Sequence, residues 1–143
     1  MKILLTPLGM SPGLLYSALC LVQPDALALL TSATAIKNLE AIFVRTQQPE
    51  YIESIILEDP FAFSADANAI TEQLVKFANE IAPLREWVIN ITGGTTAMQY
   101  CLQGIQKQLE LSGEKVTVAA LVDKRSRAEQ TVEPYVIGEI EYL

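Results

Sequence analysis

Residues 90–100 read NITGGTTAMQY, and they lie where an apolar strand pattern, Trp87 to Ile91, gives way to a helical pattern. The helical pattern consists of apolar residues whose spacing places them on one face of a helix: Met98, Cys101, Leu102, Ile105 and Leu109. Gly93 and Gly94 can adopt backbone conformations closed to other residues, so their N–H groups can approach a ligand closely. The helix start adds free N–H donors and the positive end of the helix dipole. This junction therefore predicts a turn that binds an anion.

Hydroxyl groups strengthen that prediction, because they can donate hydrogen bonds to phosphate or sugar oxygens. They belong to three threonines, Thr92, Thr95 and Thr96. The turn matches neither the dinucleotide-binding fingerprint nor the P-loop, since the G-x-G-x-x-G spacing and the Gly-Lys-Ser/Thr ending are both absent. The alternative is a tight turn in which Thr95 only caps the following helix.

The composition predicts one globular domain, residues 1–143. Hydrophobic residues make up 50% of the 143, which is enough for one core. No apolar run reaches the ~18 residues that span a bilayer, so we expect no membrane partner. The N-terminal segment MKILLTPLGM is interrupted early by Pro7 and Gly9, and it resembles a first strand more than a signal peptide. We therefore expect a cytoplasmic protein.

Several kinds of catalytic site are excluded by the residue types present. The chain has no histidine, which removes the commonest metal ligand and the commonest general base. A Ser-His-Asp or Cys-His enzyme within one chain is thereby excluded. Cys20 and Cys101 both fall in apolar helical patterns and are predicted to be small core residues, not a disulfide or a metal pair. We expect neither a metal nor a cofactor.

The net charge of −7 bears on the partners of the protein. An acidic chain is poorly suited to binding DNA or RNA non-specifically, because that binding depends on neutralising phosphates, and we expect no DNA partner. One small anionic ligand needs only a local positive field and is still allowed. The single basic cluster contains Lys124, Arg125 and Arg127.

Strand and helix patterns alternate along the chain. The strand patterns cover Lys2–Thr6, Asp25–Leu30, Tyr51–Leu57, Glu86–Ile91 and Lys115–Val122. The first helical pattern begins at Ser11-Pro12-Gly13, and the others cover Ala33–Phe43, Asp66–Ile81 and Thr95–Leu111. The tail from Val132 to Leu143 is predicted to form one or two edge strands, with a hairpin around Gly138 as one option. This alternation predicts an α/β, Rossmann-like, doubly wound and mostly parallel sheet with helices on both faces and edge strands at the C-terminus.

The doubly wound strand order 3-2-1-4-5 places the carboxyl ends of the first and fourth strands side by side, where such sheets bind ligands. The loop after the first strand, Thr6 to Gly13, reads TPLGMSPG and would face the glycine turn. Its Ser11 is either a ligand contact or an N-cap, and the two roles are compatible. The loop Asp123 to Arg127 can reach the crevice from the side and bring Lys124 near a phosphate, unless Asp123 only pairs with its basic neighbours.

These segments together resemble a CARF domain, the CRISPR-associated Rossmann fold. The resemblance rests on the Thr6–Gly13 loop, on Asn90 to Thr95 with its Thr-Gly-Gly-Thr core and, more weakly, on Asp123-Lys124-Arg125. It implies a homodimer that binds one cyclic oligoadenylate ring across its two-fold axis, most simply cyclic tetra-adenylate. The residues we expect to contact this partner are Leu8, Gly9, Met10, Ser11, Thr31, Thr92, Gly93, Gly94, Thr95, Thr96, Asp123, Lys124 and Arg125.

The resemblance also implies an activity. We expect no effector domain beside this one, and a CARF domain that stands alone either cleaves the messenger as a ring nuclease or only binds it. Ring cleavage in the family is metal-independent, with a Ser in the first loop and a Lys near the ring as catalytic residues, here Ser11 and Lys124. Many members have a Lys directly after Thr-Gly-Gly-Thr, where this chain has Thr96. The expectation is a ring nuclease that switches off type III CRISPR signalling; the alternatives are a non-catalytic sensor or an unrelated nucleotide-binding Rossmann domain.

Overall fold

Strands and helices alternate through the computed structural model, which describes residues 1–143. The six strands are β1 (Lys2–Pro7), β2 (Ala26–Ser32), β3 (Tyr51–Leu57), β4 (Glu86–Asn90), β5 (Val116–Val122) and β6 (Glu139–Tyr142). The five helices are α1 (Pro12–Val22), α2 (Leu39–Phe43), α3 (Ala67–Ile81), α4 (Thr96–Leu111) and α5 (Arg127–Val132). None of the helices has the length and apolar character that crossing a bilayer requires.

All six strands join one sheet in the order β3-β2-β1-β4-β5-β6. The first five are parallel, and β6 pairs antiparallel with β5 at one edge. The predicted order 3-2-1-4-5 and the mostly parallel, doubly wound sheet are therefore confirmed. Because β1 and β4 are adjacent, Leu5 lies opposite Ile89, and the two strands deliver their following loops to the same edge of the sheet.

The core has two layers, one on each face of the sheet. Alternate residues of a strand point to opposite faces, so Ile3 and Leu5 pack in one layer and Leu4 packs in the other. The first layer includes Leu74 of α3 and buried residues of α4, and the second includes residues of α1 and α2. Helices thus cover both faces, as the alternating pattern predicts. Cys101 lies in the first layer, both cysteines are free thiols, and burial raises the pKa of the Cys101 thiol.

Two segments differ from the prediction. The helix expected over Ala33–Phe43 is a 3₁₀ turn, Ala35–Asn38, followed by the short α2. The helix α5, just before the tail, was not predicted; the tail itself forms a single edge strand, one of the two predicted options, with no hairpin at Gly138. A capping box starts α5, since Ser126 Oγ accepts from Glu129 N at 3.2 Å and Glu129 Oε1 accepts from Ser126 N at 3.4 Å. Gly138 instead packs on α1, where its N–H donates to Ser17 Oγ at 2.8 Å.

A buried polar cluster lies at the amino ends of β4 and β5. Trp87 is fully buried, and its indole N–H donates to Glu114 Oε2 at 3.0 Å. Arg85 Nε donates to the same oxygen at 3.1 Å, and the two charged side chains are only 10% and 12% exposed. The hydrogen bonds from Arg85 hold the pKa of the Glu114 carboxyl below its usual value. The ionised carboxylate thus stabilises the folded state.

We expect Glu114→Gln to lower the free energy of unfolding at pH 7 by about 1–3 kcal/mol, because it weakens the charge-assisted bonds that the carboxylate accepts from Arg85 and Trp87. The folded-state pKa of Glu114 is depressed. Its contribution is therefore complete above the unfolded pKa of about 4.3 and is lost as the pH falls through the folded value. Urea unfolding of both proteins between pH 7 and 3 should show the difference narrowing below that pH. A stability difference that does not depend on pH would contradict the role given to the Glu114 carboxylate. As a control, Glu72→Gln at an exposed position should change stability by less than about 0.5 kcal/mol.

Candidate functional site

The site is built on Asn90, the last residue of β4. Asn90 is 2% exposed, and its side-chain amide donates to Thr6 Oγ1 at 2.9 Å and to the Thr92 carbonyl at 3.1 Å. Its Oδ1 accepts from Thr92 N at 3.0 Å. One buried side chain therefore joins the carboxyl ends of β1 and β4 and fixes the turn that follows. Asn90 belongs to the NITGGTTAMQY segment, but the sequence alone does not indicate this role.

Gly93 and Gly94 form the turn that the sequence predicts, with φ values of +97° and +74°. Both values lie in the left-handed region that favours glycine. A Cβ placed on Gly9 would lie 3.1 Å from Gly94 Cα. The loops after β1 and β4 are thus in backbone contact, and the crevice predicted between them is closed at these glycines.

The two helix starts use their hydroxyl groups differently. Thr95 caps α4, since its Oγ1 accepts from Met98 N at 3.1 Å and donates to the Pro60 carbonyl. Ser11 occupies the N-cap position of α1, but its side chain makes no capping bond and is exposed. The Thr95 hydroxyl is therefore committed to the fold, whereas the Ser11 hydroxyl is free for a ligand.

A cavity of about 710 Å³, the central cavity, opens beside the two glycine loops. Its walls include Gly9, Ser11, Leu14, Phe61, Gly93 and Gly94. Its volume lies within the range of roughly 300–1,000 Å³ that holds drug-sized ligands. Backbone groups, a free hydroxyl and apolar side chains thus line one space at the carboxyl edge of the sheet.

Other predicted contact residues hold the loops from behind. Leu8 and Thr31 are at most 1% exposed, and Thr31 Oγ1 donates to the Leu8 carbonyl at 2.8 Å. Thr92 Oγ1 accepts from Leu121 N at 2.9 Å and so ties the glycine turn to β5. The side chains of Leu8 and Thr31 do not face the central cavity. Met10 and Thr96 are exposed, and Met10 lines the cavity.

A second space of about 510 Å³, the side cavity, lies between the start of α1 and the segment after β5. Ser11 lines it as well as the central cavity, and Asp123, Arg125 and Arg127 lie on its far wall. Arg125 Nη2 donates to Asp123 Oδ2 at 2.8 Å, and its Nη1 donates to the Glu133 carbonyl at 2.7 Å. The bonds from Arg125 hold the pKa of the Asp123 carboxyl below its usual value. Asp123 thus pairs with Arg125, which is one of the two alternatives that the sequence left open for this loop.

Lys124 lines neither cavity. Its Nζ lies 3.3 Å from Glu139 Oε2 on β6, with the two side chains 73% and 62% exposed. Arg127, which belongs to the same basic cluster, lines the side cavity and was not among the predicted contacts. The sequence shows that this cluster is positively charged, but the directions of its side chains depend on α5 and β6. No group of three or more His, Cys, Asp or Glu side chains could hold a metal ion.

Comparison with known proteins places the fold. No family model and no curated protein sequence matches the chain. Csm6 from Enterococcus italicus, bound to cyclic hexa-2′-fluoro-hexa-dAMP, matches over 92% of this chain with 20% identity and a TM-score of 0.66. Can2 from Sulfobacillus thermosulfidooxidans, in complex with cyclic tetra-adenylate, matches over 85% with 15% identity and a TM-score of 0.58. The chain has a CARF-like fold.

The CARF-like fold confirms the resemblance inferred from the two glycine-containing loops. The chain spans about a third of each matched structure, 36% of Csm6 and 32% of Can2. The match therefore concerns one domain of longer proteins.

Proposed function

We propose that the protein binds a cyclic oligoadenylate, most simply cyclic tetra-adenylate, at the central cavity. The observation that carries the proposal is the contact between the Gly9 and Gly94 loops beside a free Ser11 hydroxyl. Backbone N–H groups in such a turn suit phosphate oxygens. The two matched structures hold cyclic oligonucleotides, which supports this ligand class.

Two copies of the chain are proposed to share one ring. A ring of four nucleotides is larger than the drug-sized ligands that a cavity of about 710 Å³ accommodates. An isologous dimer would double every loop around a two-fold axis, which matches the symmetry of a ring with an even number of units. The protein is accordingly proposed to be a homodimer, without DNA as a partner.

Cleavage of the bound ring is the activity that we propose. A ribose 2′-oxygen loses its proton as it bonds to the adjacent phosphorus, the P–O5′ bond breaks, and O5′ gains a proton. The products are linear and end in a 2′,3′-cyclic phosphate, and no metal is required. Holding the 2′-oxygen in line with O5′ supplies most of the acceleration in the absence of a histidine base.

Ser11 and Lys124 are the proposed catalytic residues. The Ser11 hydroxyl can donate to a phosphoryl oxygen and stabilise charge that develops there. The Lys124 amine can break its ion pair with Glu139 and then donate a proton to O5′. Breaking the ion pair costs little free energy, because both side chains are largely exposed and such pairs contribute at most about 1 kcal/mol to stability. Cleavage would switch off a signalling ring of the type III CRISPR kind.

A second candidate is a protein that binds the ring without cleaving it. The position of Lys124 favours this candidate, since its amine pairs with Glu139 outside both cavities. Thr96, at the first position of α4, also supplies no positive charge to the ring.

Incubation with cyclic tetra-adenylate in EDTA, followed by mass spectrometry, tests these proposals. We expect the product to be linear di-adenylate with a 2′,3′-cyclic phosphate and the protein to sediment as a dimer. The variants Ser11→Ala and Lys124→Ala should cleave about 100-fold more slowly, with smaller losses of affinity. The controls Ser112→Ala and Lys107→Ala change exposed residues of α4 and its C-cap and should cleave normally. Tight binding of an intact ring would select the non-catalytic candidate. A wild type that does not bind the ring would overturn the proposed function.

A further inference from the structure

The central cavity is lined by two kinds of group. The glycine loops and Ser11 contribute backbone groups and a hydroxyl, and the loop after β3 contributes Glu58, Asp59 and Phe61. Two carboxylates repel a phosphate, whereas backbone N–H groups attract it. We therefore expect a nucleotide to place its phosphate on the glycine loops and its base against the loop after β3.

The backbone at Phe61 is held by hydrogen bonds, although the residue is 75% exposed. Its backbone N–H donates to Asp59 Oδ1 at 2.9 Å, and Ala62 N donates to the Asp59 carbonyl at 3.2 Å. The carbonyl of the preceding residue, Pro60, accepts from the Thr95 hydroxyl. The loop after β3 is thus bonded to the cap of α4, and this bond keeps the backbone that carries Phe61 beside the glycine turn.

An exposed phenylalanine on an ordered turn leaves apolar area in water that a flat partner can cover. Aromatic rings stack well on nucleobases, because each presents a π-face. The neighbouring Phe63 differs, since its ring already packs edge-to-face on Tyr100 with centroids 5.7 Å apart, and it does not line the cavity. Phe61 is therefore the aromatic residue of this loop that is available to a ligand in the cavity.

Glu58 adds a polar group on the same loop. Its side chain is exposed, lines the cavity and forms no salt bridge. An ionised carboxylate only accepts hydrogen bonds. It suits the exocyclic amine of adenine and repels the carbonyl oxygen that hypoxanthine has at the same position.

We propose that Phe61 is the platform on which a base of the bound nucleotide stacks, with the Glu58 carboxylate beside it as the acceptor that selects adenine. This inference rests on the proposed function for the class of ligand. It adds the residues that bind the base, which lie on the loop after β3 and not on the phosphate loops.

Calorimetry with cyclic tetra-adenylate tests the platform. We expect Phe61→Ala to weaken binding about 5- to 150-fold, the range for removal of one stacked aromatic residue. Phe61→Tyr should restore binding, and Phe63→Ala on the same loop should bind like the wild type. Circular dichroism and sedimentation of each variant show whether folding and oligomeric state are kept. Normal binding by Phe61→Ala, or a loss explained by dissociation of a dimer, would overturn the platform.

The cyclic tetra-inosinate ring tests Glu58. The wild type should prefer the adenylate ring, and Glu58→Gln should reduce that preference, because its amide can donate to the inosine oxygen. An unchanged preference would overturn the role of Glu58. If the wild type binds neither ring, the proposed function fails and the base assignment fails with it, whereas wild-type binding with an unaffected Phe61→Ala rejects the platform alone.

Discussion

Gly94→Val is expected to lower the affinity for cyclic tetra-adenylate about 100-fold or more, the effect of losing one or two charge-assisted hydrogen bonds worth about 1.5–3 kcal/mol each. At φ +74° a β-branched residue is strained. A Cβ at this position would also lie 3.0 Å from Pro7 Cβ and 3.3 Å from Met98 Sδ. Since Pro7 and Met98 are both buried, the turn itself must move, and the backbone N–H groups proposed to bind the phosphate move with it.

Gly113→Val is the matched control for this experiment. Gly113 has a similar φ, +82°, but a Cβ there meets nothing within 4 Å, and the residue lies beyond the far end of α4. Both variants should lose at least about 1–2 kcal/mol of stability from the left-handed conformation. Only Gly94→Val should lose the ligand. Equal affinities of the two variants, measured by calorimetry on folded protein, would refute the role given to the turn.

Asn90→Ala is expected to lower the free energy of unfolding by about 2–4 kcal/mol, because it leaves buried partners unpaired and opens a cavity. The Thr92 N–H loses its acceptor, and the bond from Asn90 to Thr6 Oγ1 disappears. Since these bonds join the ends of β1 and β4, ligand affinity should fall together with stability. Urea unfolding and calorimetry on the same variant measure the two effects.

Two further variants isolate the role of the Asn90 amide. Asn90→Asp keeps the oxygen that accepts from Thr92 N but loses the N–H groups that donate, and it buries a charge beside the Thr92 carbonyl. It should be no more stable than the alanine variant at neutral pH. Asn68→Ala on the exposed first turn of α3 should change stability by less than about 0.5 kcal/mol. A fully stable Asn90→Ala would refute the proposed linkage between the strands.

The sheet and the glycine turn could be predicted because local signals determine them. Alternating strand and helix patterns, with right-handed crossovers, leave few strand orders to choose from. The pair Gly93–Gly94 after an apolar strand marks a left-handed turn regardless of what surrounds it. The capping box from Ser126 to Glu129 is a local signal as well, but the helix that it starts was not predicted.

The directions of single side chains could not be predicted, because they depend on elements distant in sequence. Lys124 points to Glu139, which β6 brings alongside the end of β5. Phe61 reaches the cavity because Thr95 binds the Pro60 carbonyl, a contact across 35 positions. An aromatic residue in a loop carries no periodic signal, so nothing in the sequence distinguished Phe61 from Phe63.

The contact between Gly9 and Gly94 has a consequence for the thermodynamics of binding. Together with the Asn90–Thr6 and Thr95–Pro60 hydrogen bonds, it links three loops into one unit before any ligand arrives. A preorganised site loses little conformational entropy on association, so more of the contact energy is retained as affinity. Ligand binding should therefore resemble rigid docking, with the loop backbones moving little between the free and bound states.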